Sequence, residues 1–503
     1  MNNGKDGFQW TPEHGLQHGL PTLGTIDPLK KHSATSQVYD VIVVGAGYAG
    51  LIATRDLTTT GHKVLLLEAR DRIGGRTWSS NLDGYPFELG GTWIHWNQPH
   101  VYKEISRYGL QDDLENSHDL TRGINSFLVK TGGQFHKMSR AEEGQIMDKV
   151  LRKFVNVDGT FCRTTIPMPG SPSLGSSPAV QELDKLSLRD RLNQIESELS
   201  SIEKAVLEGF LAITCGAQDL ADASFVEMLR WWALNNYDMV LFMEQCLTYK
   251  LRSGQSNFAR HFFDEALATG RLEYRFNAVV KSINQDQADG TVTITTEDDN
   301  NNTSYHAHRV ICTIPLNVLN DIEFIPALPP LKLQAANQGH VNVVNKVHVE
   351  AANPDLRSLS GTIAAPYDKL TYIFGDGTTP AGNTHLVSFG SAFTGVHLRA
   401  DEDIEDTKRA LQAFIGEGEG ERKMDVKRIV SHDWARDRFA KGAWEWLRPG
   451  MTRKEVLEGL RERQGRVFFA SADWAMLWRG FIDGGIEDGA RVARDVARDL
   501  RGL

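Results

Sequence analysis

Tyr39 to Arg76 read YDVIVVGAGYAGLIATRDLTTTGHKVLLLEARDRIGGR. Val41 to Val44 form a short apolar run rich in β-branched side chains, which predicts a parallel strand buried on both faces. Gly45, Gly47 and Gly50 follow at G-x-G-x-x-G spacing. The first glycine permits a tight turn, the second lets backbone approach a pyrophosphate, and the third lets a helix lie close to the strand. That helix, from about Tyr48 to Thr60 and stopped by Gly61, would aim its unpaired N–H groups at the pyrophosphate. A second strand, Val64 to Leu67, ends in Glu68, 18 residues after Gly50, near the spacing at which a carboxylate accepts ribose hydroxyls and repels a 2′-phosphate. Strand, helix, strand and acidic end together predict a dinucleotide cradle. They leave NAD and FAD open.

Four further stretches narrow the choice. Ala69 to Thr77 read A-R-D-R-I-G-G-R-T, where Gly74 and Gly75 let backbone come close to a ligand and Arg76 can neutralise a phosphate. Phe87 to His95 set Gly90 and Gly91 beside large aromatics. Trp434, Gly442-Ala443-Trp444 and Pro449-Gly450 come next, and Phe468 to Gly484 read FFASADWAMLWRGFIDG. In this order, from Tyr39 to the end, the chain resembles the flavin-containing amine oxidases, and among them most the soluble fungal monoamine oxidases, whose Q-W-T-P-E segment is matched by Gln9 to Glu13. Nicotinamide dehydrogenases do not usually carry the second segment, so the resemblance implies FAD.

The resemblance also implies a fold and a site. The fold class is α/β: a Rossmann-like FAD-binding domain, a parallel sheet with helices and a β-hairpin insertion, interleaved with an α+β substrate domain, as in p-hydroxybenzoate hydroxylase. Residues 1–38 would be an irregular arm. Residues 39–112, 250–326 and 429–503 would bind FAD, and 113–249 and 327–428 would bind substrate. Gly45, Gly47, Gly50, Glu68, Arg70, Gly75, Arg76, Thr92 and Trp434 are carried over as cofactor residues, with Gly90 and Gly91 passing close to the flavin ring. Backbone near Val280 would meet adenine, Asp473 would hydrogen-bond the ribityl or pyrophosphate region, and Ile482 would begin a final helix whose positive end faces the flavin pyrimidine. Lys346 matches the lysine that the family places near flavin N5 through a water. Trp444 and Phe481 stand where the family has its aromatic walls.

Three departures bear on function. Ala443 replaces the cysteine that membrane-bound animal members bond to flavin, so FAD should be non-covalent. Trp444 and Phe481 replace two tyrosines, so substrate preference does not transfer. The chain ends Arg501-Gly502-Leu503, without an apolar tail and unlike the S-K-L peroxisomal address, so a cytoplasmic location is expected over a peroxisomal one. Trp93 also lies where the larger amino-acid oxidases of the family carry a carboxylate-binding arginine, which lowers the amino-acid reading.

At 503 residues, the chain exceeds what one core usually supports. With 55 basic against 65 acidic residues and net charge −10, it has no basic field for nucleic acid or an anionic membrane. Cys162, Cys215, Cys246 and Cys312 form no C-x-x-C pair and read as core residues, and His306 and His308 lack partners at metal-ligand spacing, so no metal is expected. No apolar run approaches the length of a membrane span, and no secretory signal opens the chain. The sequons beginning at Asn301 and Asn302 read as chance matches in an Asp/Asn-rich loop. A homo-oligomer is compatible with the sequence.

Along the rest of the chain, Ser187 and Asp190 start a helix whose stripe Leu188, Leu192, Ile195, Leu199, Ile202 and Val206 predicts one long amphipathic element. Phe225 to Phe242, with Trp231, Trp232 and Tyr237, predicts a helical cap over an apolar pocket. Leu272 to Ile283 and Val292 to Thr296 flank an Asp289-Gly290 turn and predict a hairpin. Val341 to Glu350 alternates, with Asn342, Lys346 and His348 on one face. Gly375-Asp376-Gly377 reads as a surface turn and Asp401 to Asp406 as surface structure. The expected activity is oxidation of a small amine at its α-carbon, with hydride or its equivalent passing to flavin N5 and oxygen yielding hydrogen peroxide. Alternatives are a polyamine oxidase, an amine dehydrogenase, or a flavin-binding module in which Lys346, Trp444 and Phe481 are incidental.

Overall fold

The computed structural model describes residues 2–28, 37–286, 289–298, 301–364, 368–390, 398–416 and 422–502. Eight strands make one sheet. Its order is Leu272–Arg275, Val64–Leu67, Val38–Val44, Asn301–Cys312, Val292–Asp298, Val279–Asn284 and Glu323–Ile325, with Val467–Phe469 paired beside Asn301–Cys312. Val41 to Val44 lie parallel to Val64–Leu67 on one side and to Arg309–Cys312 on the other. Alternate side chains enter opposite cores: Val41 and Val43 pack with the helix Tyr48–Thr59, Ile42 and Val44 with the far face. The helix Ile482–Leu500 crosses close over Tyr48–Thr59, at a point where a Cβ on Gly489 would lie 2.1 Å from Ile52 Cγ2.

A second, nine-stranded sheet is mostly antiparallel. Its order is Gln134–Ser139, Ser126–Thr131, Ser360–Ile363, Tyr372–Thr378, Thr384–Gly390, Asn345–Ala351, Val426–His432, Phe8–Thr11 and Gly15–His18. Helices Arg140–Val155, Ser201–Cys215, Phe225–Leu234 and Met239–Leu247 pack into the largest core beside it. Among the described residues no helix is long and apolar enough to cross a membrane. All four cysteines are buried and free.

The expected hairpin is present, with Asn284 opposite Thr293. Several other expectations are corrected. The arm is not irregular: Phe8–Thr11 adds to the nine-stranded sheet, Phe8 opposite Ser431, because Phe8 has a core to enter while the polar outer face of an edge hairpin resembles loop sequence. Residues 29–36 of that arm lie outside the described residues. The long helix is two, Leu188–Ile195 and Ser201–Cys215, because Ser200 and Glu203 form a second capping box that restarts it. Phe225 to Phe242 likewise divides between two helices, with Asp238 accepting from the N–H groups of Val240 and Leu241 at the second start. Leu272 to Ile283 is two strands, interrupted where Asn277 turns at φ 58°. Gly375-Asp376-Gly377 is a bulge inside the buried strand Tyr372–Thr378, not a surface turn. The sequons open the strand Asn301–Cys312, next to residues 299–300 outside the described set.

Candidate active site

A cavity of about 600 Å³ joins the cradle to the aromatic residues of the helical layer. Gly45, Gly47, Glu68, Arg70, Gly75, Arg76, Gly90, Gly91, Thr92, Val280, Lys346, Trp434, Trp444, Phe481 and Ile482 all reach its wall. Gly50 and Asp473 do not; each acts from behind it.

The cradle glycines have different physical reasons. Gly45 has φ +101°, and a Cβ there would lie 2.7 Å from Thr313 Oγ1, while one on Gly50 would lie 1.9 Å from Gly45 O. A Cβ on Gly47 would meet only Gly75 Cα, at 3.9 Å, and this glycine opens onto the cavity. Gly90 and Gly91 were expected to be glycine because of a ligand. The protein alone already leaves little room for a side chain at either: Arg76 O would lie 2.0 Å from a Cβ on Gly90, and Thr77 Cγ2 2.8 Å from one on Gly91.

Glu68 accepts from Ala46 N at 2.7 Å and from Arg70 N at 2.9 Å, which fixes its carboxylate at the end of the second strand. Burial raises its pKa. Arg70 is held by Asp6 at 2.9 Å and Asp437 at 2.5 Å. Arg76 donates to Ala443 O at 2.9 Å and to Asp473 at 2.5 Å. Asp473 is fully buried and also accepts from Leu316 N at 2.8 Å, so each of its oxygens has a protein donor. Asp6, His432 and Asp437 bring ligand-type atoms within 4.8 Å of one another, but the guanidiniums of Arg70 and Arg72 supply the positive charge there.

Lys346 is a buried strand lysine, not a solvated one. Its Nζ donates to Glu88 O at 2.9 Å, Gly90 O at 3.2 Å and Thr92 Oγ1 at 2.5 Å, and lies 4.7 Å from the centre of the Trp93 ring. Three ammonium protons thus have three acceptors. Burial still pulls its pKa down to about 8. His348 shares the Glu88 carbonyl at 2.8 Å, and its other nitrogen meets His385 Nε2 at 2.8 Å. A carbonyl only accepts, so His348 donates from Nε2, His385 donates to His348 Nδ1, and Tyr85 O–H donates to His385 Nδ1 at 3.0 Å. Beneath them Lys250 and Asp376 form a buried ion pair at 2.9 Å, which the sequence did not signal.

At the far end Phe210, Ile213, Thr214, Trp231, Phe242 and Phe389 join Trp444 and Phe481 on the wall. Trp444 Nε1 donates to Thr214 O at 2.9 Å, and the Phe481 ring lies 4.5 Å from that of Trp231. Trp232 and Tyr237 turn away, donating to Phe161 O and Ile166 O. The carboxylates on the cavity wall, Glu68 and Asp321, both belong to the cradle side. Behind the aromatics, Glu227 bonds Arg230 at 2.8 Å and also Arg479, and Arg479 lies 3.6 Å from Glu445. Arg230 and Glu445 directly neighbour the wall aromatics Trp231 and Trp444 in the chain. The helix Ile482–Leu500 starts at the wall with no side-chain cap. Asp483 in its first turn accepts from His100 N and Val101 N, and burial raises its carboxyl to about 7, so near neutral pH it cancels only part of the helix's positive end.

Comparisons with known proteins agree on one family. The profile of the family described as flavin containing amine oxidoreductase matches residues 48–497. The pseudooxynicotine dehydrogenase of a Pseudomonas species is 33% identical over 92% of this chain and 87% of its own. The nicotine dehydrogenase of Pseudomonas putida is 28% identical over 96% and 95%. Among solved structures, the cyclohexylamine oxidase of Brevibacterium oxydans superposes with a TM-score of 0.70 at 20% identity, over 92% of this chain and all of that one. FAD, the cofactor of the matched family, suits the donors present: two helix starts without side-chain caps, an acidic strand end, and a glycine facing open space.

Proposed function

The chain belongs to the flavin-containing amine oxidoreductases, FAD-dependent enzymes that act on amines, and from that premise we propose that it is a monoamine oxidase converting R-CH2-NH2, O2 and H2O to an aldehyde, NH3 and H2O2. The observation that carries this reading is the far end of the cavity, whose described lining is aromatic and aliphatic apart from Thr214 and Cys246 and holds no carboxylate for a second ammonium. An alkylamine enters as a cation, and apolar walls disfavour that form, so proton loss on entry is eased and the nitrogen lone pair freed. Trp444 and Phe481 would orient the neutral amine. FAD, when bound, supplies the acceptor for hydride or its equivalent at N5, held without a covalent bond because Ala443 offers no thiol. The start of the helix at Ile482 would stabilise negative charge on the pyrimidine side. Lys346 Nζ would place a positive charge where oxygen is reduced, and water would hydrolyse the imine. The soluble fungal monoamine oxidases are the pattern followed here, and a cytoplasmic location is part of the reading.

A second reading has its own support: two similar proteins bear the name dehydrogenase, which points to an electron acceptor other than oxygen. The test is anaerobic mixing of the holoenzyme with amylamine while following flavin absorbance, then admission of air and assay of peroxide. Bleaching, then rapid recovery with stoichiometric peroxide, supports the oxidase. Bleaching with slow recovery supports the dehydrogenase. Bleaching by spermine or putrescine but not by amylamine would sink the monoamine assignment.

A further inference from the structure

The cofactor end of the cavity has three walls from distant parts of the chain: Ala69 to Thr77, Ala278 to Lys281, and the group Trp434, Arg438 and Phe439. The N-terminal arm is bonded at or beside each of them. On the first wall, Lys5 N donates to Asp71 Oδ2 at 3.0 Å, Gly24 O accepts from Ile73 N at 2.9 Å, and Ile26 N donates to Asp71 O at 3.3 Å. On the second, Lys5 Nζ donates to Asn277 Oδ1 at 2.8 Å, one residue before Ala278. For the third, the strand Phe8–Thr11 pairs with Val426–His432, which leads directly into Trp434.

Asp6 is the centre of this arrangement. One of its oxygens lies 2.9 Å from Arg70 and 2.8 Å from Arg72. Arg70 and Arg72 are 7% and 0% exposed, and like charges this deep repel strongly. Asp437, at 2.5 Å from Arg70, supplies one negative charge; Asp6 supplies the second. Arg70 itself forms part of the cavity wall.

We propose that this arm is a staple that retains FAD, with Asp6 and Lys5 as positioning residues that set the spacing of the walls around the adenosine half. The inference rests on FAD as cofactor and not on the identity of the amine or the electron acceptor. A chain with alanine at position 443 must hold its flavin by such contacts alone.

The experiment compares Asp6→Asn and Lys5→Met with the natural sequence, all as full-length holoenzyme. FAD loss is read from the rise in flavin fluorescence after dilution, with far-ultraviolet circular dichroism followed on the same samples. Asp6→Asn is expected to release FAD at least about tenfold faster before any change in dichroism, since it leaves a buried charge unpaired. Lys5 is exposed, so Lys5→Met should speed release only about two- to threefold. If Asp6→Asn does not fold, the Lys5→Met result decides. Release at the natural rate in the variants, or release that begins only as dichroism is lost, would overturn the proposal.

Discussion

Arg76 and Asp473 meet at 2.5 Å behind the cofactor end of the cavity, joining the cradle to the closing segment of the chain. Burial alone would push the Asp473 carboxyl up, but Arg76 and neighbouring donors hold it below its ordinary value. A depressed carboxyl stabilises the fold above its unfolded value, and that stability is lost as pH falls through the folded one. Asp473→Asn should therefore weaken FAD about tenfold or more and lower the melting temperature by several degrees. Titration of the apoprotein with FAD, with melting followed alongside, checks both. Unchanged FAD affinity would reduce the pair to a purely structural tie.

Gly47 and Gly50 should behave oppositely on replacement by alanine. At Gly50 the new methyl would lie 1.9 Å from Gly45 O, which no rotamer change relieves, so Gly50→Ala should give little folded protein. Gly47→Ala meets nothing closer than 3.9 Å and should fold as the natural chain does, yet bind FAD about tenfold more weakly. Soluble yield and flavin content per chain separate the two outcomes.

Lys346 ties a pH dependence to one atom. Its pKa is lowered to about 8 by burial, so its charge is lost as pH rises through that value. If the charge assists oxygen, air reoxidation should slow across the same range, while Lys346→Met should be slow throughout, by a factor on the order of a hundred. Reduction by amine should change far less. The opposite effect is expected on stability: the unfolded chain binds the proton more tightly, so this lysine's cost fades as pH climbs from about 8 towards its ordinary 10.5. Stopped-flow reoxidation at several pH values is decisive, and equal slowing of both half-reactions would count against the role.

Lys250 and Asp376 are 5% and 2% exposed. Removing one partner strands the other, so Lys250→Met should cost about 3–5 kcal/mol. The double variant Lys250→Met with Asp376→Leu should recover most of that. Thermal unfolding of the single and double variants gives the comparison; additive losses would show that the pair is not coupled.

The sequence was readable where signals are local. Val41 to Val44, the glycines after them and Glu68 lie within thirty residues, and strand period and turn chemistry are short-range properties. Asp376 was unreadable for the opposite reason: an acid between two glycines has the composition of a turn, and the lysine that makes it a core residue lies 126 positions away. The split at Ser200 was concealed because the apolar stripe keeps its spacing through the break; the S-x-x-E at Ser200 to Glu203 was the signal to weigh. Trp231 and Trp232 are adjacent on a helix and so point about 100° apart, and composition does not say which faces the cavity. The arm was misread because an edge hairpin buries few side chains.

The pairing of Val467–Phe469 with Val310–Cys312, and the packing of Ile482–Leu500 on Tyr48–Thr59, also bear on biosynthesis. During synthesis the strand Val38–Val44 emerges long before its cradle partners, the strand Val467–Phe469 and the helix Ile482–Leu500. A nascent chain therefore carries an incomplete nucleotide site until both partners have been made. A shortage of FAD during expression should therefore yield apoprotein that can still be loaded afterwards.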